Sequence, residues 1–219
     1  MLNQAIIASN IPVLNLHDSV RQALAVLEDF SSVCLPVVDD SHFIGLAFHD
    51  DLQHQDPDKE LSAFVPRFPK VSVQANTHFL EAIRTANAYR LSLVPVVEPS
   101  GVYVGALTLS DLLQSLGKIT GAGEPGAVIV LAIPKRDFSL QELSRLIENS
   151  ETRIRQFNTY WDEAEQLLQV TLKLNQFEIS DVLNTLQHHD YPIKYYFGEE
   201  LFVNELRSNF EHLMNYLNI

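Results

Sequence analysis

Residues 35–52 read LPVVDDSHFIGLAFHDDL, and residues 94–112 read VPVVEPSGVYVGALTLSDL. Pro36-Val37-Val38 recurs as Pro95-Val96-Val97 at an offset of 59, and Ile44-Gly45 and Asp51-Leu52 recur as Val104-Gly105 and Asp111-Leu112 at 60. One residue inserted in the intervening turn accounts for the slip, and turns accept such changes. Upstream, Val20, Ala23, Leu24 and Leu27 fall on Phe79, Ala82, Ile83 and Ala86. The spacing i, i+3, i+4, i+7 is the buried stripe of an amphipathic helix. Each copy therefore predicts an extended lead-in (residues 12–16; 70–73), that helix, a β-rich strand (35–38; 94–97) and a polar turn. A second strand (43–48; 103–109) then runs into a helix opening near Asp51 or Asp111. Units this small bury too little apolar surface alone, so the two should pack together.

The shared string, Pro-Val-Val, turn, Ile/Val-Gly, two apolar residues, then Ser/Thr-x-x-Asp-Leu, resembles the CBS domain. The resemblance covers about residues 5–117, with repeats at about 5–55 and 64–117. It implies a tandem pair (a Bateman module) of α/β fold with a regulatory rather than catalytic role. Its clefts are expected to bind adenine nucleotides (AMP, ADP, ATP) or S-adenosylmethionine as regulatory ligands, and such pairs often form homodimers. In the family the Ser/Thr and Asp of this motif contact phosphate and ribose. The second copy keeps both, as Thr108 and Asp111; the first keeps Asp51 but has Phe48 in place of the hydroxyl residue. A carboxylate accepts ribose hydroxyls, and a hydroxyl beside the free N–H groups of a helix start holds a phosphate oxygen. Phenylalanine does neither. At most one competent cleft per chain is expected, with ligand-binding residues Thr108, Asp111 and, as the remnant in the first copy, Asp51. Thr108-x-x-Asp111 is equally a helix-capping pattern that need bind nothing. Lys70, Arg84, Arg90 and Lys118 lie near enough in sequence to neutralise phosphate, although scattered cations are usually solvated surface.

Residues 119–126, Ile-Thr-Gly-Ala-Gly-Glu-Pro-Gly, read as a linker. Gly121, Gly123 and Gly126 match G-x-G-x-x-G, but helix, glycines, strand is the reverse of the dinucleotide-binding order. Residues 127–197 then read β-α-β-β-α-β. Residues 127–133 form an apolar run suited to a central strand. Ser139-Leu-Gln-Glu142 is a capping box opening a helix with Leu140, Leu143 and Ile147 on one face. Residues 153–160 are strand-like and end at the polar turn 162–165. Leu168, Val170, Leu172 and Leu174 alternate as in a half-buried strand. Ile179, Val182, Leu183 and Leu186 mark a second helix, and Ile193, Tyr195 and Phe197 a last strand. This order resembles the ferredoxin-like ACT domain, which binds amino acids at subunit interfaces, and the whole chain is similar to CBS–ACT proteins, including the acetoin-utilisation type. The turn that carries a glycine in ACT domains is here Pro134-Lys135-Arg136-Asp137-Phe138-Ser139. Arg136 and Asp137 either pair with the ends of an amino acid or form a surface ion pair. In residues 198–219, Phe202, Leu206, Phe210, Leu213, Met214 and Leu217 form one stripe of an amphipathic helix.

Composition bounds the function. The net charge is −13, with 7 basic and 13 acidic residues in 1–118 and 8 and 15 in 119–219, so neither half offers the basic surface that nucleic acid requires. No apolar run of about 18 residues is present to span a membrane, and the polar face of the C-terminal stripe lacks the cations of a membrane-surface helix. The first residues have no signal-like pattern, and the single Cys34 fits a reducing cytoplasm and a buried apolar role. His188-His189-Asp190 lacks the helical spacing of a metal site. No G-x-S-x-G, H-E-x-x-H or P-loop string occurs. The expectation is a cytoplasmic, non-catalytic regulatory protein without cofactor or metal, homodimeric and acting on an unknown partner. The alternative is a ligand-free interaction module that dimerises through its CBS and ACT-like parts.

Overall fold

The structure is a computed structural model that describes residues 1–8, 10–148 and 151–198. The stripe expected on a C-terminal helix, Phe202 to Leu217, lies outside the described residues. The chain divides into two compact units, Met1–Gly117 and the residues from Lys118 on.

In the first unit each repeat builds the same five elements. The first has β1 (Leu14–Asn15), α1 (Val20–Asp29), β2 (Cys34–Asp39), β3 (His42–Phe48) and α2 (His49–Leu52). The second has β4 (Val73–Gln74), α3 (Phe79–Tyr89), β5 (Leu93–Val97), β6 (Tyr103–Thr108) and α4 (Leu109–Ile119). Each sheet has three strands, a short parallel pair (β1 with β2, β4 with β5) and an antiparallel hairpin. Helix α1 starts where Ser19 and Gln22 close a capping box, and it buries Val20, Ala23 and Leu27; α3 buries Phe79, Ala82 and Ala86 at matching positions. The two repeats share one apolar core, in which Leu35, Val37, Leu46, Val94, Val96 and Leu107 have no exposed surface.

The pairing of the repeats is reciprocal. Phe43 N donates to Gly101 O at 3.1 Å, and its counterpart Tyr103 N donates to Ser41 O at 2.8 Å. The Phe43 and Tyr103 rings stack at 6.4 Å. The arm before each repeat crosses to the other. Val20 N donates to Lys59 O, and Phe79 N to Met1 O; Leu61 N donates to Asp18 O, and Asn3 N to Thr77 O. Such matched exchanges are what a pseudo-twofold rotation generates. The arms also explain two glycines. A Cβ on Gly45 would lie 2.7 Å from Phe68 Cβ, and one on Gly105 would lie 2.2 Å from Ile7 Cγ2. Each crossing arm therefore needs a bare backbone beneath it.

Helix α2 is much shorter than its counterpart. It stops after His49–Leu52, whereas α4 runs eleven residues. Asp56-Pro57 comes within the next turn of chain, and a residue before proline avoids the helical conformation.

The second unit contains β7 (Val128–Ile133), α5 (Leu140–Ile147), β8 (Ile154–Asp162), β9 (Leu167–Leu174), α6 (Ser180–His188) and β10 (Ile193–Phe197). Its sheet is fully antiparallel in the order β10-β7-β9-β8, the ferredoxin-like arrangement expected from the sequence. Strand β7 is interior, and Ile129, Leu131 and Ile133 pack on Leu143, Ile147, Val182 and Leu186. Ser139 Oγ accepts from Glu142 N at the start of α5.

Candidate ligand-binding clefts

Strand β6 delivers Thr108 as its last residue, and α4 begins at the next. Thr108 Oγ1 accepts from Asp111 N at 3.1 Å, and Asp111 Oδ2 accepts from Thr108 N at 3.1 Å and from the Thr108 hydroxyl. The two residues thus form a reciprocal cap on α4, with both side chains half-buried. Leu109 N donates to Ser92 O at 3.2 Å, fixing the helix start against β5.

The cap limits what the pair can do. Thr108 has one hydroxyl proton, and Asp111 holds it. Asp111 Oδ1 makes no hydrogen bond among the described residues and remains able to accept a hydroxyl. A sugar hydroxyl can therefore bind with the cap intact. A phosphate oxygen is itself an acceptor and gains the Thr108 proton only if the hydroxyl rotates away from Asp111.

The first repeat keeps the backbone and loses the chemistry. His49 N donates to Val33 O at 2.9 Å, just as Leu109 N does to Ser92 O. Phe48, at the position of Thr108, makes no side-chain cap and packs against the core. Asp51 is exposed, and its backbone carbonyl accepts a hydrogen bond from Gln55 Nε2 at 3.1 Å. Thr108 and Asp111 are brought together; Asp51 belongs to the other repeat.

Of the nearby cations, Arg84 pairs with Glu81 on its own helix, Arg90 takes the left-handed position that ends α3, and Lys70 and Lys118 are exposed. In the second unit Arg136 and Asp137 pair with each other at 3.5 Å on the surface. His188 ends α6, His189 caps it, and Asp190 turns the chain with φ 57°. Among the described residues no three His, Cys, Asp or Glu side chains gather into a metal-binding group. The glycines of residues 121–126 do lie between a helix and a following strand. Cys34 is 1% exposed with Sγ 3.8 Å from Ser92 Oγ, and burial pushes its thiol pKa up.

Sequence reasoning missed the arms, which place Ile7 over Gly105 three residues before Thr108. The signal available was the glycine at the same place in both repeats, which marks close backbone approach.

The CBS domain family model matches residues 4–54 and 62–118. A CBS domain pair/ACT domain protein from Thermotoga maritima is similar at 21% identity and a TM-score of 0.50, over 54% of this chain and 98% of that one. CBSX2 in complex with AMP is similar at 23% identity and a TM-score of 0.44, over 54% and 97% of the two chains. The cytosolic domain of the Mg2+ channel MgtE in complex with ATP is similar at 25% identity and a TM-score of 0.43, over 50% and 46%. With two matched repeats, exchanged arms and a family match to each copy, the N-terminal unit of this chain is a tandem pair of CBS domains.

Proposed function

We propose that the protein is a non-catalytic, cytoplasmic ligand sensor whose second CBS repeat binds an adenine nucleotide or a related molecule. The observation that carries this reading is the asymmetry of the clefts. Thr108 and Asp111 are held together at a helix start with one carboxylate oxygen unused, while Phe48 has replaced the hydroxyl in the first repeat. Asp111 Oδ1 accepts the ribose hydroxyls, Thr108 turns to the phosphate, and Asp51 is a remnant outside the working cleft. Binding shifts the packing of the repeats toward the liganded arrangement, since a ligand biases two states only through its different affinities for them. The ferredoxin-like unit, read as ACT-like in the manner of acetoin-utilisation-type CBS–ACT proteins, passes that bias to a partner.

A second reading is favoured by two features. The reciprocal cap already satisfies most of Thr108 and Asp111. In addition, Ile83, Ala86, Leu109, Leu112, Leu113 and Leu116 line an apolar groove between α3 and α4 with a volume of about 280 Å3, and Leu113 is 70% exposed beside it. On this reading the pair is a dimerising scaffold without a ligand.

Thermal unfolding against AMP, ADP, ATP and S-adenosylmethionine separates the two. AMP and ATP are tried first because they are the ligands held by CBSX2 and by the MgtE domain. A ligand at 100 times its Kd stabilises the folded state by about 2.7 kcal/mol. The sensor reading expects that shift and its loss in Thr108→Val/Asp111→Ala; the scaffold reading expects no shift from any of the four.

A further inference from the structure

The sheet of the second unit has one face under helices and one face open. Ile129, Leu131 and Ile133 of β7 pack on α5 and α6, so the alternate residues Val128, Val130 and Ala132 point to the other side. Residues paired directly across antiparallel strands share a face. On β10, Tyr195 pairs with Val130 and Phe197 with Val128; on β9, the same two valines pair with Thr171 and Lys173. Asn158 and Gln156 continue these two rows on β8. The open face is therefore apolar over β10 and β7 and polar over β9 and β8.

The polar half has a cover of its own. Lys173 Nζ donates to Gly121 O, and a Cβ on Gly121 would lie 3.4 Å from Gln156 Cγ, so the linker crosses that corner of the face. The turn after β8 folds over the neighbouring part. There Glu165 accepts from Gln169 Nε2 and from Lys194 Nζ, each at 2.8 Å, and Gln169 has no exposed surface. The apolar half instead presents two aromatic rings to the outside. Tyr195 is 48% and Phe197 54% exposed, and their rings meet edge to face at 5.7 Å. Adjoining exposed apolar side chains of this size usually mark a contact surface.

The chain itself supplies an occupant. Phe197 is followed by Gly198 and then by residues 199–219, which carry the stripe from Phe202 to Leu217. A helix over residues 202–217 is about 24 Å long at 1.5 Å per residue. The six residues of β7 run for about 20 Å at roughly 3.3 Å per residue, so the lengths match. Residues 199–201 suffice to turn the chain back at the end of β10. The tether also favours this segment over a second copy, because its encounter with the face is intramolecular, whereas two chains of net charge −13 repel each other.

We propose that residues 202–217 form a helix lying along β10 and β7 of their own chain, with the apolar stripe seated on Tyr195, Phe197 and Val128. The linker and this helix then divide the open face of the sheet between them. This inference stands apart from nucleotide binding.

Solution NMR of the full chain, in a mixture of isotopically labelled and unlabelled protein, tests it. The expected result is nuclear Overhauser contacts within one chain from the rings of Tyr195 and Phe197 to the methyl groups of Leu206, Leu213 and Met214. Contacts found only between labelled and unlabelled chains would give the face to a second copy and overturn the proposal. Contacts of the stripe with Phe177 and Tyr196 instead, or no contacts, would overturn it too. A pair of variants gives a second readout, since Phe210→Asp and Ser208→Asp add the same charge to the stripe and to the opposite side of the segment. Phe210→Asp is expected to lower the melting temperature by several degrees and to raise the binding of a fluorescent apolar dye, with Ser208→Asp near wild type in both; equal effects of the two contradict the proposal.

Discussion

Thr108 and Asp111 cap α4, and on the proposed reading they also hold the nucleotide. As a cap they hold the start of α4, and loss of an N-cap side chain costs about 0.5–2 kcal/mol. Thr108→Ser keeps both the cap and the proton, so urea unfolding should show it near wild type. Asp111→Ala should lose about 1 kcal/mol together with any nucleotide-induced shift. Gly105 tests the crossing arm. Gly105→Ala sets a Cβ 2.2 Å from Ile7 Cγ2 and should destabilise by about 1–3 kcal/mol in chemical denaturation, the usual cost of overpacking. Tyr103 carries a pH prediction. Its phenol is an acid whose folded pKa, about 12, lies above the unfolded value near 10, so its neutral form is favoured by folding. That contribution is fully present below about pH 10 and is lost as the pH rises toward 12. Ultraviolet titration should show a phenol ionising near pH 12 that disappears in Tyr103→Phe, in addition to the upward shift that burial gives Tyr191. At this scale the sequence exposed the loss of Thr108's hydroxyl at Phe48, because the repeat aligned the two positions. It did not show that Asp111 already holds the Thr108 proton, since a cap and a ligand site use the same residues at the same spacing.

Among the elements, the strands and the helices α1, α3, α5 and α6 were legible from their apolar periods, reinforced at α5 by the capping box Ser139-x-x-Glu142. The lengths of α2 and α4 were harder to read, because both open on the same Asp-Leu string; the copies then diverge, Gln53-His54-Gln55-Asp56-Pro57 lacking the apolar period that Leu112, Leu113 and Leu116 keep. That difference has a consequence. Only the second repeat has two long helices side by side, and the groove between them is lined by no charged residue in a chain of net charge −13. A second copy of so acidic a chain meets least repulsion at such a patch. A self-complementary contact there would seat Leu113 of each copy in the other's groove. Leu113→Asp should therefore shift the chain toward monomer in sedimentation or light-scattering measurements, with its melting temperature little changed because Leu113 is 70% exposed. An unchanged mass would count against this face.

For the whole molecule, the 59-residue repeat conveyed the internal symmetry of the first unit, and the β-α-β-β-α-β order conveyed the sheet of the second. The exchange of arms was hidden. Residues 1–8 and 57–69 have no periodicity of their own, and their partners lie far along the chain, as in the bond from Phe79 N to Met1 O. Exchange ties the two repeats into one folding unit, so removing the first eight residues should destabilise the second repeat more than the first. Amide hydrogen exchange reads this as faster opening at α3 than at α1. On the proposed reading the pair has one working cleft. Isothermal titration of the intact chain with AMP and ATP tests that most directly. A stoichiometry of one nucleotide per chain, abolished in Thr108→Val/Asp111→Ala and unaffected by Asp51→Ala, is the predicted result. Two nucleotides per chain, or binding that survives the double substitution, would contradict it.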